Sequence, residues 1–335
     1  MIRTPILCLM CAAALAPGFA LAQAATAGTS SIDAPPLASA ELTPIGAQRG
    51  GNADGSIPPW NGGIKQVPPG FSEGERHIDP YADDPVLFTI NADNVEQYAD
   101  KLSEGQRALL ERFPETMYFN IYPTRRSASY PEYVYEGIQA NAKNAILLKE
   151  GFGGVVNSVI TSPFPVPREG VEVVWNHNMR WRGIRISRIG GQAAVTRNGN
   201  YRVIILQEEF ASPYGRPKAS SFSKTHPNTD LGFMQKILAP GSEAGFGQLV
   251  LDTHNYVAAQ RQSWVYNPNL RRVLRSPLTG FDSPAPQSDG LRWQDESDMF
   301  NGSRALFDWK LLGKRELYIP YNSYRLEAEG LEYED

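Results

Sequence analysis

From Gly183 onward, apolar and polar residues alternate with a period of two, the pattern of strands that bury one face. Ile184 to Thr196 and Tyr201 to Leu206 flank Asn198-Gly199, a pair that accepts the left-handed backbone of a tight hairpin turn. Thr229 to Leu238 and Gln248 to Ala258 continue the alternation. Arg261 to Ser276 (RQSWVYNPNLRRVLRS) predicts a second hairpin about Asn267-Pro268-Asn269-Leu270. In that register Tyr266 faces Arg271 and Trp264 faces Val273, while Val265, Arg272 and Leu274 share the opposite face. Each face mixes apolar groups with arginine, which suits a curved sheet with a partly covered concave side.

The first half follows a helical period. Asn91 to Leu102 places Val95, Tyr98 and Leu102 on one face. Ser103-Glu-Gly-Gln106 has capping-box form and predicts a second helix ending at Phe113-Pro114. Met117 to Tyr122 reads as extended. Tyr130-Pro131 predicts a helix to about Lys149, and Glu169 to Trp181 a short amphipathic one with Val171, Val174, Trp175 and Met179 on its apolar face. Helices first and antiparallel strands afterwards make an α+β chain. Glu41 to Tyr81 is too rich in glycine and proline for a long helix or a central strand. It is expected to run over the surface in turns anchored by Trp60 and Phe71.

The N-terminus changes the picture. Arg3 followed by an apolar run from Pro5 to Leu21 and the small residues around Ala20-Leu21-Ala22 predict a cleaved signal peptide, residues 1–22. Gln23 would be the new N-terminus, with cleavage after Ala24 as the alternative. Both cysteines, Cys8 and Cys11, lie inside that signal, so a mature chain would hold neither a disulfide nor a catalytic thiol. Residues 23–40 lack periodicity and read as a disordered lead-in, leaving 41–335 as a single domain. The formal net charge of -4 gives no broad basic field for nucleic acid.

Five blocks look like the domain of unknown function family 1329: LTPIGAQRGGNADGSIPPWNGG (42–63), YPTRRSASYP (122–131), PFPVPREGVEVVWNHNMRWRG (163–183), WVYNPNLRRVLRSP (264–277) and DWKLLGKRELYIPYN (308–322). The resemblance implies a fold like that of the lipoprotein-sorting carriers LolA and LolB. That fold is a curved antiparallel sheet forming an incomplete β-barrel, with helices packed on or in its open side. It also implies a soluble periplasmic location, possible association with the outer membrane, and work beside an RND-type exporter and an outer-membrane protein. Members of the family continue with further strands where this sequence stops, so C-terminal strands are expected to be lacking here.

Chemistry-bearing motifs are sparse. His77, His177, His226 and His254 have no metal-pair spacing, and the sequence shows no GxSxG, P-loop or GxGxxG. Asn52 to Ile57 resembles the middle of a calcium loop but has Gly50 and Asn61 where acids are required, so a tight turn is expected. His177 reads as a hydrogen-bonded structural residue or a polar group at a cavity mouth. Glu208 and Glu209, adjacent on a strand, point to opposite faces. The Asp295, Glu296, Asp298 run reads as a solvated loop.

No cofactor is implied. On the LolA-like analogy, Trp264, Tyr266, Val273, Trp175 and Trp181 are candidates for lining a cavity, the alternative being ordinary core. Arg125, Arg126, Arg271 and Arg272 are candidates for a headgroup or partner contact, the alternative being surface charge. The function expected is a periplasmic carrier or chaperone for a lipid or other hydrophobic molecule. The alternatives are a non-catalytic adaptor of an envelope export complex and, behind it, a hydrolase.

Overall fold

The computed structural model describes residues 26–27, 36–218, 220–276, 281–328 and 330–331. The expected signal peptide lies outside them. The strands are β1 (Thr26–Ala27), β2 (Phe88–Ile90), β3 (Phe119–Ile121), β4 (Ile146–Leu148), β5 (Gly154–Val156), β6 (Arg185–Val195), β7 (Tyr201–Ala211), β8 (Thr229–Ala239), β9 (Gly247–Thr253), β10 (Gln262–Asn267) and β11 (Arg272–Arg275). The α-helices are α1 (Glu104–Arg112), α2 (Glu132–Asn144), α3 (Gly170–Met179) and α4 (Ser221–Thr225). This is the mixed α and β composition expected. Its centre is a six-stranded antiparallel meander in the order β11-β10-β9-β8-β7-β6, and the sheet does not close on itself.

Local chemistry explains most boundaries. The Ser103 hydroxyl accepts from Gln106 N at 3.2 Å, and Gln106 Oε1 accepts from Ser103 N at 2.9 Å, so the capping box starts α1 as its residues require. Val95–Lys101, expected as α-helix, is a 3-10 helix. α2 stops at Asn144, short of the expected Lys149, because Ile146–Leu148 is taken as a strand between β1 and β5. Part of the lead-in read as disordered is thereby ordered, since Thr26 pairs with Leu147 across the edge that β4 offers. The lead-in's last residues are also tied down: the Ser39 hydroxyl accepts from Glu41 N and Leu42 N, and Arg49 Nε donates to Ser39 O at 2.7 Å.

The β10–β11 hairpin forms two residues out of the expected register. Trp264 pairs with Arg275 and Tyr266 with Val273. Asn267 is itself paired, and its side-chain oxygen accepts from Asn269 N and Leu270 N, moving the loop to 268–271. A shift of two keeps each strand residue on its expected face. Arg271 is the exception. It is not in the ladder but in the loop, at a φ of 50°.

The two faces of the sheet differ in cover. One buries Ala194, Ile204, Leu206, Ile237, Val250, Gln248 and Ser263. The 284–293 segment lies against it: Gln192 Nε2 donates to Gln287 O at 2.6 Å, and Arg292 donates to Gln192 Oε1 at 3.0 Å. The other face exposes Ile189, Val203, Met234, Leu249, Tyr266 and Val273. Register shifts at Ile205/Leu206 and at Thr229/Leu231 add local twist.

Two further cores sit away from the sheet. Trp175 of α3 packs with Ala145, Leu147, Val155, Phe164, Val171 and Met179. Ile90, Leu102 and Leu110 form the other, with Phe88, Tyr98 and Tyr318 against it.

Candidate functional site

The Gly/Pro-rich segment builds a site. Arg126 holds it in place: Nη1 donates to the carbonyls of Arg49, Gly50 and Pro58, and Nη2 to that of Gln48 at 2.6 Å. Trp60 Nε1 donates to Ala128 O at 3.1 Å, and the Arg49 guanidinium lies 5.2 Å above the Trp60 ring. Gly63, at a φ of 70°, lets the Ser127 and Ala128 carbonyls approach so closely that a Cβ there would sit 2.4 Å from Ala128 O.

Opposite this segment runs the irregular chain 317–323, which leads into a 3-10 helix at Tyr324–Glu327. Tyr318 N donates to Lys101 O at 2.9 Å, and Gln106 Nε2 donates to Tyr318 O at 2.8 Å. Asn322 Oδ1 accepts from the Ser127 hydroxyl at 2.8 Å. With the Tyr318 ring against Phe88 and Tyr98, Leu317 and Ile319 are left toward the gap.

Between the two segments lies a cavity of about 790 Å³, within the range of roughly 300–1,000 Å³ usual for small-molecule sites. Ile45, Ile57, Ile121, Leu317 and Ile319 supply apolar wall, and six tyrosines line it: Tyr81, Tyr122, Tyr130, Tyr135, Tyr318 and Tyr321. Tyr130 sits edge-on to Tyr135 and to Trp181, with ring centroids 6.0 and 5.8 Å away. Burial pushes its phenol pKa up, against the pull of Arg180. Among the described residues its hydroxyl has no hydrogen-bond partner, whereas Tyr135 Oη accepts from Tyr130 N at 2.9 Å.

The wall carries Arg125, Arg126 and Arg325 against Asp79 and Asp84. Arg125 is spent on Asp84, gripping both carboxylate oxygens, with Nε to Oδ2 at 2.8 Å. Arg126 has no carboxylate partner among the described residues, and desolvation lowers its pKa. Arg325 donates to Tyr122 Oη at 3.3 Å.

Of the residues singled out from sequence, Arg125 and Arg126 are brought to this cavity and the others are not. Trp181 stands behind Tyr130, its Nε1 donating to Gly215 O at 3.2 Å. Trp175 is core, 1% exposed. Trp264, Tyr266 and Val273 lie on the uncovered face of the sheet, and Val273 is 63% exposed. Arg271 and Arg272 are exposed at the hairpin end. The tyrosines and the Leu317/Ile319 segment were missed. Their signal was the Tyr-Pro and Ile-Pro-Tyr pairs and the alternation Leu317, Ile319, Tyr321.

A second polar cluster is interior. Burial and the neighbouring Asp252 push the Asp230 carboxyl up to about 7. Arg261 Nε lies 3.0 Å from Asp252 Oδ1, an ion contact without hydrogen-bond alignment. His254, its ring 5.5 Å from that of Tyr214, is lowered to about 4 by burial. Arg304 is 2% exposed, lies 3.9 Å above the Trp175 ring, and donates to Tyr256 Oη and to Asn178 Oδ1.

The expected solvated acidic loop is also structured at one residue. Asp298 accepts from Arg180 at 2.8 Å and from Arg182 at 2.6 Å, while His177 Nε2 meets its main-chain oxygen at 2.6 Å. The loop folds back because α3 and the residues after it present two cations to that one carboxylate. No group of three metal-ligating side chains gathers among the described residues. No helix among them is long and apolar enough to cross a membrane.

The fold and site define an α+β protein with an open antiparallel sheet and a separate tyrosine-lined cavity. The chain belongs to the family described as protein of unknown function DUF1329, whose model matches residues 89–335. It is similar to an uncharacterized protein of Pseudomonas aeruginosa, at 42% identity over 295 residues. That match covers 88% of this chain and 64% of the relative, so the chain spans just under two thirds of the relative's length. No solved structure matches.

Proposed function

We propose that this protein is a periplasmic carrier or chaperone that holds a lipid or other hydrophobic molecule by burial, without covalent chemistry. The observation that supports this reading is the cavity of about 790 Å³ with its isoleucine, leucine and tyrosine wall. Each buried methylene contributes roughly 0.8 kcal/mol, so an alkyl chain of ordinary length gains useful affinity there. This reading puts the site between the Gly/Pro-rich segment and residues 317–326, rather than at Trp264 of the hairpin. The LolA/LolB-like half-barrel, the single domain over 41–335 and export through residues 1–22 belong to the same proposal. So does exchange of cargo with an RND-type exporter and an outer-membrane partner. An open six-stranded sheet covered on one face is compatible with that fold.

The test is titration of a fluorescent fatty acid into the purified protein. Ile319→Asp, which sets a charge on the cavity wall at a 65% exposed position, is expected to weaken binding at least about tenfold with the thermal midpoint unchanged. Trp264→Asp is expected to leave binding as it was. Loss with Trp264→Asp and not with Ile319→Asp would move the cargo to the sheet, and no binding by the unaltered protein would end the carrier reading.

One observation favours a second reading, a non-catalytic adaptor in an envelope export complex. The uncovered sheet face presents Ile189, Met234, Leu249, Tyr266 and Val273 side by side. An adaptor would bind protein through that face and take up no lipid.

A further inference from the structure

Resting on the carrier reading, the geometry points to an anionic amphiphile as the cargo. Its acidic head, a carboxylate or a phosphate, is read by Arg126 and Tyr130, and its alkyl tail lies along Ile121, Leu317 and Ile319. Three observations converge on this class.

The first is the charge of the wall. Three arginines stand against two aspartates, a surplus of one cation, and Arg125 with Asp84 already makes a closed pair. Arg126 and Arg325 remain without a carboxylate partner among the described residues. A cavity with surplus guanidinium favours a negative ligand over a neutral one.

The second is the valence of Arg126. Its two Nη1 hydrogens are shared among three carbonyls and one Nη2 hydrogen goes to Gln48 O. The Nε hydrogen and the second Nη2 hydrogen have no acceptor among the described residues. These are two of the five donors of a guanidinium, whose planar fork suits a carboxylate or phosphate. Its other donors hold it rigid, so little side-chain freedom is lost on binding.

The third is Tyr130. Its ring is fixed between Tyr135 and Trp181, and its hydroxyl is unmatched among the described residues. A phenol is protonated at neutral pH, and burial shifts this one further that way, so it is a donor there. A neutral alkane would leave these donors unanswered, which disfavours such a ligand.

The test compares dodecanol, dodecanoate and dodecyl phosphate, one chain length with three heads, by calorimetric titration at pH 7.5 into the protein and its Tyr130→Phe and Arg126→Lys variants. The anionic probes are expected to bind about 20- to 100-fold tighter than the alcohol. Whichever anion is tighter names the head. Tyr130→Phe is expected to cut that preference about five- to tenfold, and added salt to erode it further.

Arg126→Lys keeps the charge and loses the fork, so the preference should fall there too. Because Arg126 also holds residues 48–58, Tyr130→Phe is the cleaner of the two variants. Equal binding of all three probes would overturn the acidic head and leave the carrier reading standing. Binding of none would overturn both.

Discussion

Trp175→Ala is expected to destabilise the protein by about 3–5 kcal/mol, with the midpoint of urea unfolding falling accordingly. The indole fills the centre of the α3 core at 1% exposure and donates to Gly151 O at 2.9 Å. It also carries the Arg304 guanidinium 3.9 Å above its face, with the Tyr256 ring 5.6 Å away. Removing it opens a large cavity, loses a buried hydrogen bond and leaves a buried cation without its aromatic cover. Trp264→Ala, by contrast, is expected to cost about 1 kcal/mol, because Trp264 lies half-buried on the uncovered face of the sheet. Equal losses in the two variants would mean that the sheet face is covered in solution.

The second large effect is a pH dependence of opposed sign at two half-buried groups. Asp230 is raised from 3.8 to about 7. Between those values the folded chain keeps a proton that the unfolded chain has released, so this group lowers stability as pH rises from about 4 to 7. His254 is lowered from 6.5 to about 4. Between those values the unfolded chain binds a proton that the folded chain refuses, so this group raises stability as pH rises from about 4 to 6.5.

The two largely offset each other in the unaltered protein. Asp230→Asn removes the first and should leave stability rising from pH 4 to 6.5, then flat. His254→Asn removes the second and should leave stability falling from pH 4 to 7. Each swing is on the order of a few kcal/mol. Urea midpoints at unit pH intervals check both, and parallel profiles in the two variants would count against this pairing.

The α1 capping box, the Asn198-Gly199 turn and the six alternating segments were legible because each rests on contacts between residues close in the chain or on a period fixed by backbone geometry. The β10–β11 hairpin was legible up to its register. Asn267 can serve either as a turn residue or as the last rung of the ladder, and its side-chain bonds to Asn269 N and Leu270 N decide for the rung. The candidate site was half legible. Arg125 and Arg126 stood out as a pair, but their assignments, one to Asp84 and the other to four carbonyls of residues 48–58, join segments far apart in the chain. Tyr122, Tyr130, Tyr318 and Tyr321 sat inside the quoted blocks and were passed over in favour of tryptophans.

By itself, then, the sequence determined the family, the α+β order and which residues share a face of each strand, since these follow from local propensity and a period of two. Tertiary structure alone decided which face is covered, where the open volume lies and which cations are neutralised. Period-two alternation divides a strand into two faces without saying which one another segment will reach. That depends on where 284–293 and 317–326 pack. The packing of 284–293 leaves Trp264 and Val273 on the uncovered face, and that of 317–326 leaves a cavity beside Tyr130 and Arg126.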